Sequence, residues 1–412
     1  MARHVTVVGA GIIGISCAIN LRRDGYRVTV VDRNPPGEGC SQGNAGLFSS
    51  NSFIPLSSPG MLSQVPGWLF DPLGPLAIRW RHLPQLLPWL VRFVRAGAPG
   101  RVKEISKALA NLLEASLEEH QALAKGTEAE SLIRAQGCMY VYEDAKSLAK
   151  ETNSWDLRRA HGTVMDRLDA GQIREREPAL APIYESGYFL PKVGHTVEPM
   201  LLVKGLARHF EQSGGIILQR EAWGIETGPD GPRRLETDQG AIDVDILVIA
   251  AGAFSNRLTA NLGSPVPLQG ERGYHVTIAN SGISLNSPVF VNTYKFIATP
   301  MAPGIRVAGT TEFGGLDTEP NFARARTLIH HAKRMLPGID TADVSEWSGL
   351  RPTLPDSLPV IGPSPHLPNL FFAFGHQHIG LTSGPKTGRL LAGLVAGRTS
   401  NIDLTPFRVD RF

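Results

Sequence analysis

At the N-terminus the spacing of apolar residues switches between two periods. "VTVV" at 5–8 is a short β-branched run, the pattern of a parallel strand buried on both faces. Apolar Ile15, Ala18, Ile19 and Leu21 follow at helical spacing until Gly25, and "RVTVV" then opens a second strand ending at Asp32. Further on, Val102, Ile105, Leu109, Leu112, Leu113 and Leu117 form one stripe, which predicts a single helix over 102–124. "GCMYVYED" reads as a strand, followed by charged helical stretches to about residue 180. "YFLPKVGHTVEPMLLVKGLARHFEQSGG" gives a strand, a turn and a helix stopped by Gly214 and Gly215. "IILQREAWGIET", "RRLETDQG" and "AIDVDILVIAAGAFSN" read as strands, and more strand signals run from "LQGERGYHVTI" to "RVAGTTEFGG". "FARARTLIHHAKRML" is helical; adjacent His330 and His331 point in different directions on it and read as surface residues. The last pattern, "NLFFAFGHQHIGLTSGPKTGRLLAGLVAGR", is a strand, a glycine-rich turn and a helix buried through Leu390, Leu391, Leu394 and Val395.

One segment fits neither period. Residues 53–100 carry many prolines together with Trp68, Trp80 and Trp89, so short amphipathic pieces are expected rather than one long helix. The preferred reading is a packed element covering the site. The alternative is a patch touching a membrane or a quinone, because Trp beside Arg and Lys suits an interface.

Composition narrows the classes. At 412 residues the chain is long for one core and should form two domains. With 41 Lys+Arg against 38 Asp+Glu the net charge is +3, which gives no support for a nucleic-acid partner. The three cysteines, Cys17, Cys40 and Cys138, lack metal-ligand spacing, so no metal site is expected and a reducing compartment is the natural home. The first residues lack the organisation of a signal peptide and no apolar run approaches a membrane span. The expected location is cytoplasmic, with peripheral contact at the inner membrane as the alternative.

The first chemistry lies between the two N-terminal strands. Gly9, Gly11 and Gly14 form G-x-G-x-x-G, and Asp32 falls 18 residues after Gly14. The glycines allow a tight turn, close approach of a pyrophosphate, and close helix–strand packing; the acid can accept from a ribose hydroxyl. Strand, glycines, helix, second strand and acid agree on a dinucleotide site, without deciding FAD from NAD.

The continuation, "DRNPPGEGCSQGNAGLFSS", resembles the FAD-dependent D-amino acid oxidase superfamily, and within it bacterial D-amino acid dehydrogenases and glycine oxidases. The resemblance covers nearly the whole chain. It implies non-covalent FAD held by Gly9, Gly11, Ile12, Ile13, Gly14, Asp32, Arg33, Ser41, Asn44, Ala45, Gly46 and Leu47. It adds Val197, Gly252 of "AGAFS", and Gly375, Gly380, Leu381 and Thr382 of the last turn. It also implies an α/β fold: a discontinuous Rossmann-like FAD domain (1–55, 190–265, 345–412) and an α+β substrate domain with a mixed or antiparallel sheet (56–189, 266–344).

"SGLRPTLPDSLPVIG" carries the other half of the resemblance. Gly349, Leu350, Arg351 and Pro352 match a motif whose arginine pairs with a substrate carboxylate, while Ser357 replaces the usual glycine. A guanidinium offers two parallel donors suited to that pairing. The alternative is a structural ion pair with Asp356 or Glu346. Arg351, Tyr274 and His376 are the candidate catalytic residues, and His275, Tyr294, Thr311 and His378 join Arg351 and Tyr274 as candidate substrate contacts. The implied reaction is oxidative deamination of an amino acid, a D-amino acid by resemblance and proline-like ones included, by hydride transfer to flavin N5. Electrons would pass to a quinone or dye-like acceptor. A glycine- or sarcosine-oxidase-like enzyme using dioxygen, or a non-catalytic flavoprotein subunit in a homo- or hetero-oligomer, are the other readings.

Overall fold

The computed structural model describes residues 3–58 and 64–412. The "PGMLS" stretch at 59–63, part of the proline-rich segment, and the first two residues lie outside the described residues. Two large sheets organise the chain. The first has the order 216–219, 27–32, 4–8, 246–249, 370–374, 360–363, parallel except for its last pair. Its strands are apolar on both faces because both are covered, one by helices and the other by the three-stranded sheet of 222–228, 231–237 and 242–243 together with Leu258 and Leu262. Ile12–Arg23, Pro199–Gln212 and Gly380–Val395 bury their stripes against Val5, Val7, Val30 and Val248. The helix at 199–212 stops as expected, with Gly214 at φ +86.

The second sheet has nine strands, led by Asp343–Thr353, Gln269–Ala279 and Gly304–Phe313. It is mixed, with mostly antiparallel pairs and two parallel ones. One face packs on the helix Ala323–Met335 through Tyr274, Val276, Ile278, Leu328 and Ala332. The other face is turned toward the loops of the first sheet, as Arg306 shows by donating to the carbonyls of Gln42 and Asn44.

Several sequence expectations need correction. The single helix over 102–124 is two, Pro99–Leu113 and Ser116–Ala124, broken where Ala115 takes φ 57. The break lets Leu109, Leu112 and Leu113 pack beside Phe53 and Phe407 while Leu117 and Leu123 join the nucleotide-sheet core. "IILQREAWGIET" is likewise two strands, 216–219 and 222–228, in different sheets. His330 is exposed, but His331 is buried: it stacks on Phe296 and its Nε2 lies 3.1 Å from the Leu73 carbonyl. The strand Asp343–Thr353 belongs wholly to the second sheet, so residues 345–353, expected with the first sheet, pair with the other one. The reason is register: eleven consecutive pairs join this strand to Gln269–Ala279.

Candidate active site

The glycine-rich turn is built as its spacing requires. Gly9 has φ +119, and a Cβ there would lie 2.3 Å from the Ala250 carbonyl oxygen. A Cβ on Gly14 would sit 1.8 Å from the Gly9 oxygen. Gly11 differs: the nearest atom to a Cβ there is Ser41 Oγ at 3.3 Å, and the space beyond is open. The amide of Ile12 donates to Ser41 Oγ at 3.1 Å, while those of Ile13 and Gly14 have no acceptor among the described residues. Asp32, at the end of its strand, accepts from the amides of Ala10 (2.7 Å) and Asn34 (2.9 Å); burial pushes its carboxyl up against these bonds. Free helix-start amides, open space before Gly11 and a carboxylate at the strand end fit the pyrophosphate and ribose of a dinucleotide. Arg33 lies over the Phe254 ring at 4.0 Å, next to Gly252, which has φ 57 and open space above it.

A second wall joins the two ends of the chain. Asn44 Oδ1 accepts from the Gly46 amide at 2.8 Å, and a Cβ on Gly46 would meet the Thr196 carbonyl oxygen at 2.7 Å. Leu47 pairs with His195, and its carbonyl accepts from Thr382 Oγ1 at 3.1 Å. That hydroxyl fixes the start of the Gly380–Val395 helix against residues 47–49, so the positive end of its dipole meets the Asn44–Leu47 loop. Gly375 has φ 84, and a Cβ there would strike Leu354. Val197 is engaged differently from the other cofactor candidates: its N–H donates to Leu132 and its carbonyl accepts from Ala302, so only the second lone pair of that carbonyl is left for a ligand.

Arg351 stands where these walls meet the second sheet. Its register partner is Glu271, and Nη1 donates to Glu271 Oε1 at 2.7 Å and to Thr311 Oγ1 at 3.3 Å. Neither Asp356 nor Glu346 is its partner; those pair with Arg411 and Arg326. Glu271 is buried and also accepts from Thr311 and Thr353, each at 2.9 Å. Burial pushes its carboxyl up, but Arg351 and the two hydroxyls outweigh that and hold it below its ordinary range. The rest of the guanidinium lies over Gly273, where a Cβ would be 2.4 Å from Nη2 and 2.8 Å from Nε. Nε and Nη2 have no partner among the described residues, so one two-donor edge stays free.

A bulge supports this arrangement. Pairing between Gln269–Ala279 and Gly304–Phe313 slips at Gly273/Tyr274, leaving Thr310 as an extra residue with φ 52 and an unpartnered buried hydroxyl. Past it, the Thr311 amide bonds to the Pro75 carbonyl at 2.7 Å and the short strand Leu76–Ile78 runs alongside.

Strand alternation sorts the remaining candidates. His275, two residues from Gly273, shares the Arg351 face: it stacks on Trp347 at 5.1 Å, and its Nδ1 lies 3.1 Å from the Gly43 carbonyl. Burial, aided by Arg306, pushes its imidazole down to about 3. Tyr274 points to the opposite face, into the core beneath the helix Ala323–Met335, where its hydroxyl donates to Glu312 and accepts from the Asn321 amide. It is therefore not brought to Arg351. Tyr294 lies on that far side too, packed on His331. His376 is buried, with Nε2 3.2 Å from Thr387 Oγ1, and faces the C-terminal helix instead of the cleft. His378 is on the Arg351 side: it is exposed, yet desolvation pushes its imidazole down, opposed by the charge of Glu271 and helped by that of Arg351.

The residues missed from sequence are Glu271, Thr353, Trp347 and Arg306. The indole of Trp347 lies so close to Gly43 and Gly349 that a Cβ on either would meet it within about 2 Å, which accounts for both glycines. Period-two counting through "QGERGYH" places Glu271, Gly273 and His275 on one face and could have found Glu271. Ser357, which stands where the resembling proteins have glycine, adopts φ 65, and its Oγ accepts from the Leu56 amide at 3.2 Å.

Residues 4–394 match the DAO family, described as FAD-dependent oxidoreductases, and the chain belongs to that family. It is 39% identical to a D-amino-acid oxidase of Bradyrhizobium diazoefficiens over 100% of this chain and 99% of that one. It is 31% identical to a D-amino acid dehydrogenase of Sinorhizobium medicae over 99% of each. In fold it is similar to glycine oxidase from Geobacillus kaustophilus (TM-score 0.76, 23% identity, 100% of both chains). It is also similar to L-proline dehydrogenase from P. horikoshii (TM-score 0.77, 17% identity, 100% of this chain and 98% of that one).

Proposed function

We propose that the protein oxidises a D-amino acid at Cα, and that Arg351 receives the substrate carboxylate on its free Nε/Nη2 edge. That edge is the observation that carries the reading: Nε and Nη2 lie over Gly273 with no partner among the described residues, two parallel donors suited to a carboxylate. FAD, when bound, supplies the two-electron oxidant; the Ile13 and Gly14 amides and Asp32 hold it, and Thr382 fixes a helix start beside it. Thr311 and Glu271 fix the guanidinium, so the carboxylate is oriented before reaction. Cα would give up its hydrogen with the C–H electron pair to that oxidant, the neutral amine becoming an iminium; this takes up water and releases ammonium to give a 2-oxo acid, or stays cyclic for a proline-like substrate. Near the clamp, burial raises the Cys40 thiol to about 11 despite Arg351 beside it, so it stays protonated, while His378 is held neutral. We propose that the substrate amine enters as the free base, so that the oxidation needs no proton acceptor from the protein.

Electrons leave to a quinone or dye-like acceptor reached at a membrane surface. Use of dioxygen is the second reading, supported by the printed name of the 39% identical relative. A screen of D- and L-amino acids, proline and hydroxyproline isomers included, with dye reduction and oxygen uptake read in parallel, tests both. No turnover of any D-amino acid by flavin-loaded protein would refute the proposal.

A further inference from the structure

We propose that the outer face of the helix Leu83–Ala96 docks on an anionic lipid bilayer. This helix buries Leu86 and Trp89 against Phe313 at the edge of the second sheet. A helix with only that duty would be polar outside. Instead Leu87, Val91 and Val94, spaced i, i+4, i+7 and so on one stripe, are 51%, 49% and 46% exposed. Trp80, just before the helix, is 66% exposed. The helix is thus apolar on two sides, and among the described residues only one is covered.

Charge selects the occupant. Residues 72–103 hold Arg79, Arg81, Arg92, Arg95, Arg101 and Lys103 and no Asp or Glu. The chain carries +3, so the remainder carries 3 − 6 = −3 and the cations are concentrated here. Arg79 and Arg101 are used by Glu312 and Glu104. Arg81 and Arg95 have no partner among the described residues, and Arg92 lies only over the Phe412 ring, 6.0 Å from its centre. Apolar side chains and Trp flanked by free arginines match the interface of a bilayer carrying negative headgroups. A second copy across a two-fold axis would set these arginines against one another. No helix among the described residues is long and apolar enough to cross a membrane, so the helix would lie in the interfacial plane. The surface deepens the reading of a membrane-held acceptor and is independent of the chemistry at Arg351.

The test is co-sedimentation of the holoprotein with vesicles of phosphatidylcholine alone and of phosphatidylcholine containing phosphatidylglycerol. Binding to the anionic vesicles, weakened by salt, is expected. Leu87→Glu with Val91→Glu should abolish it. Arg92→Gln with Arg95→Gln should lower partitioning roughly 25-fold, at about fivefold per arginine. Both variants should keep bound flavin and the unchanged rate with a soluble dye, which separates failure here from failure of the catalytic reading. If the glutamates disturb folding, the unaltered protein still answers: its tryptophan emission should shift to shorter wavelength on anionic vesicles, and Trp80→Phe should remove the shift. Three results would overturn the proposal: no binding to anionic vesicles, equal binding to neutral ones, or a vesicle-independent dimer that the stripe variants dissolve.

Discussion

Replacing Arg351 with lysine keeps the charge and removes the two-donor edge. In the native protein Nη1 is committed to Glu271 at 2.7 Å and to Thr311, and Nε and Nη2 remain for the ligand. An ammonium has one nitrogen, and buried Glu271, flanked by Thr311 and Thr353, would draw it first. The substrate carboxylate then loses at least one charge-assisted hydrogen bond, worth about 1.5–3 kcal/mol, or roughly 10- to 150-fold in affinity. Arg351→Lys should therefore raise KM by that factor and weaken the perturbation of the flavin spectrum by benzoate in parallel. Thermal stability should change little, because Glu271 keeps a cation. Steady-state dye reduction and a benzoate titration on the same preparation measure both. An unchanged KM together with unchanged benzoate affinity would refute the clamp.

Glu271→Gln leaves acceptors and donors for its neighbours but removes a negative charge beside the ligand carboxylate. At about 6 Å and an effective dielectric of about 20–80 that repulsion is about 1–3 kcal/mol, so benzoate should bind roughly 5- to 150-fold tighter; weaker binding would mean that Glu271 acts through geometry alone. Gly11→Ala should fold normally and lose FAD affinity, because its Cβ meets only Ser41, whereas Gly14→Ala should damage folding, because its Cβ would meet the Gly9 oxygen; apoprotein melting and flavin titration distinguish the two. Burial pushes His120 and His195 down to about 4 and His275 and His376 to about 3. The unfolded chain then binds more protons from pH 6.5 down to about 4, so stability should fall with pH in that window, by about 1.4 kcal/mol per unit for each histidine. A melting temperature flat across it, by calorimetry of the holoprotein, would contradict these burials.

The nucleotide turn was legible because its determinants are local: Gly9, Gly11, Gly14 and Asp32 act within one strand–helix–strand unit, and each is found where spacing puts it. Motif and strand pattern point to Arg351 and Thr311, but the carboxylate between them comes from a strand 80 residues away; period-two counting can put Glu271 on the right face, and register is what pairs it with Arg351. Tyr274 was misjudged because a residue's neighbourhood in sequence does not say which face of a sheet it takes. The Gly273 bulge also lies between it and the strand that sets its partner. His376 and His378 are two apart in a turn, not a strand, so alternation could not separate them; packing on Thr387 does.

Gly273 limits what sequences can occupy this fold with the clamp intact. It sits mid-strand, where glycine costs roughly 0.5–1 kcal/mol relative to alanine. Yet any Cβ there would stand within 3 Å of the guanidinium. The position is closed to all other residues while Arg351 lies flat. A relative that kept the arginine but carried a side chain at this place would have to lift the guanidinium off the sheet and present a different edge. One strand position thus sorts homologous sequences by the direction from which they can take a carboxylate.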